Sequence, residues 1–194
     1  MGILLGFAPF IVFALLTSVS VSLGLWLAFA AAFVITIRDF VESPTLRLLD
    51  AGSVTLFGLM ALFTGFIEPS LTLQSVRLVV DASFLGMALV SLGLRRPVTV
   101  DYGHEHLPKD VWNTPAFLRA NYILTGAWAA GFAVMTAADI ASVFIAQVPL
   151  SLDIAVGLAA LGLAIAFTVR YPVTLAQRND GHKGAAAQRT AHKS

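Results

Sequence analysis

The chain has 194 residues, of which 58% are hydrophobic and only 12% charged, with a mean hydropathy of +0.84. A soluble domain carries about 25% charged residues, so this composition leaves too little polar surface to cover a water-soluble fold. The net charge of +1 gives no field that would gather nucleic acid, and the absence of cysteine excludes disulfides, thiolate catalysis and cysteine-ligated metals.

The first apolar block runs from Ile3 to Ile37 without a charge. As a single helix it would be roughly 50 Å long against a hydrocarbon core of ~30 Å, so it must fold back. The hydroxyl-rich run from Thr17 to Ser22 marks the turn. This predicts a short segment over 3–17 and a second over 20–37. The first contains Pro9 and is barely long enough to span, so a re-entrant or interfacial placement stands beside a crossing one. Met1 to Leu5 lacks the basic stretch of a signal peptide, and the N-terminus reads as mature. Further segments are predicted over 49–67, 74–94, 118–139 and 152–170. The expected fold is all-α, a polytopic transmembrane helical bundle of five to six membrane segments occupying 1–175. From Ala176 to Ser194 the chain is polar and basic, and is predicted to be a disordered tail.

Orientation follows from the basic residues. Arg38 and Arg47 follow the second segment. Arg95, Arg96, Lys109 and Arg119 follow the fourth, and Arg170, Arg178, Lys183, Arg189 and Lys193 follow the sixth. The alternate loops carry no Lys or Arg. Eleven of the twelve basic residues thus fall on one side, which the positive-inside rule makes cytoplasmic, together with the C-terminus. Tyr102, Trp112 and Tyr171 sit near that interface, and Trp26 lies nearer the other. Segments four and six exit alike, as Arg95-Arg96-Pro97-Val98-Thr99 and Arg170-Tyr171-Pro172-Val173-Thr174. Three parallel helical hairpins are one reading of this echo. The ordinary form of a positive-inside helix end is the other.

Arg77 is the exception to the orientation, and Asp81 stands four residues on along the same helix face. Charges within a bilayer require a partner or water. Glu68, Asp139 and Asp153 are placed at neighbouring outer helix ends, so the five residues make either an interhelical ion-pair lock or an acidic mouth around one arginine. Asn121, Thr125 and Trp128 form a polar stripe on segment five. Gly126 with Ala130 and Gly162 with Ala166 are small-residue pairs suited to close helix packing or to a homo-oligomer face. His104 and His106 flank Glu105 in the loop over 97–117, but a metal site needs three or four ligands and none is fixed nearby. No histidine lies in an apolar segment for haem ligation. No hydrolase, metalloprotease or phosphate-binding motif occurs, so neither enzymatic activity nor a cofactor is expected.

With these features the chain resembles the intracellular septation protein A family of bacterial inner-membrane proteins. The resemblance rests on Phe7-Ala8-Pro9-Phe10 at the start, Arg77 near the outer end of segment four, and the exit Arg95-Arg96-Pro97. Leu107-Pro108, Val111-Trp112 and the Asn121…Trp128 pattern complete it, and it covers roughly residues 5–172. The His-Glu-His run and the long basic tail depart from the family pattern. The resemblance implies an inner-membrane protein of cell division and envelope maintenance, working through contacts with division or elongation proteins and supplying no catalytic residues. Pro97, Pro108 and Trp112 would then belong to the accessible cytoplasmic surface. The alternative is a small transporter or channel using the Arg77/Asp81 cluster. It requires a polar mid-membrane cavity lined by groups such as Asp81, Asn121 and Thr125, whereas a contact-making protein requires none.

Overall fold

A backbone in hydrocarbon must satisfy its polar groups internally, so each apolar block is committed to helix. The computed structural model describes the backbone of residues 2–42, 47–106, 109–112, 114–145 and 148–191, with side chains through Tyr171 except those of Ile3, Glu105, His106 and Asp110. Five helices are long and apolar enough to cross a membrane. They are α3 (Val21–Glu42), α4 (Leu48–Leu62, prolonged by a π-helical turn over Phe63–Ile67), α5 (Leu73–Gly93), α7 (Pro115–Phe144) and the apolar part, Leu150–Tyr171, of α8 (Leu150–Ala191). The protein is a multi-pass, all-helical membrane protein, with no strand among the described residues.

The N-terminal stretch forms α1 (Gly2–Gly6) and α2 (Ala8–Leu16), separated at Phe7. Pro9 explains the break: it has no N–H to offer the preceding turn and is tolerated only in the first turn of a new helix. Phe7, Phe10 and Phe13 recur every three residues on one face and are all buried. Phe7 stacks on Trp128 with ring centroids 3.7 Å apart, and Phe10 meets Phe84 and Phe132 edge-on at 5.0 and 4.9 Å. The segment therefore contributes the centre of the core. It is shorter than the five spans. After the turn at Thr17, α3 returns along α2. Gly24 permits this, because a Cβ there would stand 3.1 Å from the Thr17 backbone.

The helices run alternately up and down. α3 packs on α2 and α4, and α7 packs on both α5 and α8. The middle pair of the three-hairpin reading, α4 with α5, touches less than its neighbours do. α5 closes with a left-handed residue: Arg95 has φ 56, its N–H bonds to the Leu92 carbonyl, and the Arg96 N–H bonds to Ser91. This double bond satisfies the last carbonyls of the helix. The chain then forms α6 (Val100–His106) and a short 3-10 turn (Lys109–Val111) against the end of the bundle.

Two differences from the sequence expectation concern α8 and the small residues. The backbone of α8 continues as helix to Ala191, where composition predicts an unstructured tail; the run is rich in Ala, Gln, Arg and Lys, all good helix formers. Gly126 and Gly162 meet no neighbouring atom within 4 Å of a Cβ position, and Ala130 and Ala166 are exposed. These pairs do not close the α7–α8 interface. Gly131 does, facing Ala160 and Ala164.

Candidate functional site

Charged side chains are buried at both ends of the bundle, and the two clusters differ in their balance. At the end carrying the exposed Arg38, Arg95, Arg96 and Arg119, the carboxylate of Asp39 in α3 accepts from Arg47 at 2.6 Å and pairs with Arg38 at 2.8 Å. Arg47 also stands 3.8 Å from Asp50 in α4, and its guanidinium lies over the Tyr102 ring at 4.7 Å. The Tyr102 hydroxyl donates to Asp50 at 2.7 Å. Burial, followed by the adjacent Asp50 carboxylate, pushes the Tyr102 phenol far above its ordinary value. The buried Arg47 and the exposed Arg38 share these carboxylates, and α3, α4 and α6 are tied together. Gly6 makes room for the ring, since a Cβ on it would fall 2.3 Å from Tyr102.

The opposite end is built differently. Arg77 is in the second turn of α5 and is buried. Its Nε lies 3.4 Å from Asp139 Oδ1 near the end of α7 and 3.5 Å from Asp153 Oδ2 at the start of α8. Asp81, one turn further along α5, lines the same small void as Arg77. Three carboxyl groups thus face one guanidinium. All three are at most 3% exposed. Asp139 Oδ2 and both oxygens of Asp153 receive no hydrogen bond from the protein. A void of about 10 Å³, room for one water molecule, lies between Arg77, Asp81 and Gly157 on one side and Phe10, Phe13 and Met135 on the other. Gly157, one turn beyond Asp153, admits the guanidinium: a Cβ there would meet Arg77 Nη2 at 2.6 Å.

The residues singled out by sequence are dispersed differently from expectation. Asp81, Asp139 and Asp153 gather with Arg77. The ion pairs of Arg77 are with α7 and α8, whereas helical spacing points to its own neighbour Asp81. Glu68 is not in the cluster: it is exposed and accepts a hydrogen bond from the Ser70 hydroxyl. Nor is the cluster an open mouth, because its members are buried. Asn121 Nδ2 donates to its own helix at the Phe117 carbonyl, 2.9 Å away. Thr125 meets the Thr99 hydroxyl at 3.0 Å, and Thr99 also donates to the Asn121 carbonyl. This stripe fastens the Pro97–Thr99 turn to α7. Trp128 Nε1 donates to Thr168 at 3.0 Å across the α7–α8 interface.

At the other end Pro97 is buried and offers no contact surface. Trp112 stacks on His104 at 4.2 Å, and His104 also faces Phe117 at 5.5 Å, so this imidazole is held in an aromatic stack. Pro108 and the His106 side chain lie outside the described residues. Among the described residues, no group of three His, Asp or Glu side chains is arranged to hold a metal ion. Sequence reasoning missed Asp39, Arg47, Asp50, Tyr102 and Gly157. The charges sat in what read as loop or helix ends, and only the Asp153-to-Gly157 spacing, one helical turn, gave a signal.

Comparison with protein-family models, with curated proteins and with solved structures gives no match. The resemblance to the septation family therefore rests on the motifs quoted for it.

Proposed function

We propose that this is a non-enzymatic protein of the bacterial inner membrane, of the septation type, that acts in cell division and envelope maintenance by binding other membrane proteins. Its basic end and C-terminus face the cytoplasm in this reading. The observation that carries it is the interior: Phe7, Phe10, Phe57, Phe84, Trp128 and Phe132 are packed ring against ring where a transporter needs a polar cavity. The void beside Arg77 and Asp81 has room for one water and admits no solute. The exposed apolar side chains face lipid and leave the polar ends and the outer helix faces for partners or for a second copy.

The test is deletion of the gene in its host, scored for cell length and envelope integrity, with photo-crosslinkers at exposed basic-end positions such as Arg96 and Arg119. Elongated or leaky cells and a reproducible membrane-protein adduct are expected. Normal division with no adduct would sink the reading.

A second reading, a proton- or ion-coupled transporter, is favoured by one observation, the surplus of carboxyls around Arg77. Solute uptake into proteoliposomes driven by a pH gradient, and abolished by Asp81→Asn, would replace the contact-making reading with this one.

A further inference from the structure

We propose that Asp81, Asp139 and Asp153 form an internal proton-binding site, holding two exchangeable protons between their carboxyls opposite the guanidinium of Arg77. Three ionised carboxylates and one guanidinium carry a formal charge of −2 in a buried, membrane-embedded position. Unpaired charge is costly there, so two positive charges must be supplied from elsewhere. Among the described residues nothing supplies them. α5 contributes Arg77 and Asp81, α7 contributes Asp139, and α8 contributes Asp153 with Gly157. The part of α2 that closes the void contributes only Phe10, Phe13 and Ala14. Glu68, at the end of the π-helical turn, is exposed and bonded to Ser70.

The unpartnered oxygens point to the same ligand. Ionised carboxylates have no donor to offer one another. A proton bound to a carboxyl turns it into a donor, and the buried oxygens of Asp139 and Asp153 that have no partner are available to receive it. A metal cation fits less well. Arg77 already occupies the position between Asp139 and Asp153, and no metal-holding arrangement exists among the described residues. The one-water void beside Arg77 and Asp81 gives the protons an exchange partner. The proton site does not depend on the contact-making function: a scaffold can carry it, and a proton-coupled transporter would require it.

Infrared spectroscopy of the full chain in phosphatidylcholine vesicles tests the site, because a protonated carboxylic acid has a carbonyl band distinct from carboxylate and amide and shifts in D2O. The wild type at neutral pH is expected to show this band. Asp81→Asn, Asp139→Asn or Asp153→Asn each removes one carboxyl, so each is expected to lose about half of it. No such band in the wild type, or a band unchanged in all three variants, overturns the proposal. So does stabilisation of the wild type by sodium chloride over choline chloride with no carboxylic band, which would assign the site to a metal cation. Should the Asn variants fail to fold, the wild-type band and its frequency change in Asp81→Glu decide the matter.

Discussion

Single side chains set the two ends of the bundle. The Tyr102 phenol is held neutral by burial and by its bond to Asp50. Because its folded value is raised, the stability it contributes is fully present below the ordinary tyrosine value of about 10 and is lost as pH rises above it. An absorbance titration of wild type against Tyr102→Phe is therefore expected to show no phenolate from Tyr102 around that pH, and its ionisation only together with loss of helical structure. At the acidic end Gly157 is the sensitive position. Gly157→Ala puts a Cβ 2.6 Å from Arg77 Nη2, so the guanidinium must shift relative to Asp139 and Asp153. We expect a loss of roughly 1–3 kcal/mol, typical of overpacking, read as a lower unfolding midpoint in detergent, while Gly162→Ala on the exposed face of the same helix changes little.

Among the elements, α5 ends under mild strain. Arg95 occupies the left-handed conformation usually given to glycine, at a cost of about 1–2 kcal/mol. Arg95→Gly keeps both capping bonds and is expected to raise the unfolding midpoint, an outcome thermal denaturation checks directly.

The element scale also shows what the sequence could tell. Segment boundaries were legible because hydrocarbon thickness and charge-free length are properties of one segment at a time. Arg77 stood out for the same reason, as a charge where composition allows few. Its partners were legible only as a set: topology put Glu68, Asp139 and Asp153 alike at neighbouring helix ends, and only the packing of α5, α7 and α8 brings Asp139 and Asp153 to it and leaves Glu68 outside. The fate of α1 and α2 was equally hidden. A short apolar segment with a proline reads the same whether it crosses or re-enters, and nothing in it announces that Phe7, Phe10 and Phe13 insert among the other helices.

For the molecule as a whole, the orientation is open to a direct measurement. The chain has no cysteine, so each introduced thiol reports alone. Val19→Cys and Ser70→Cys lie at exposed positions of the acidic end, and Arg96→Cys and Arg119→Cys at exposed positions of the basic end. A membrane-impermeant maleimide is expected to label the first pair in intact cells and the second only after lysis. The reverse pattern would contradict the positive-inside assignment.

The long-range partnership of Arg77 also imposes an order on biosynthesis. Asp139 follows it by 62 positions, and at ~5–20 residues per second the ribosome needs roughly 3–12 s to reach it. During that interval α5 presents an arginine and an aspartate to the lipid, charges that disfavour insertion by about 2.5–3.5 kcal/mol at a helix centre and by less toward its end. The helix must therefore linger at the translocon or the interface until α7 and α8 emerge. A nascent chain arrested after α6 is expected to leave α5 accessible to aqueous reagents, and one arrested beyond α8 to protect it.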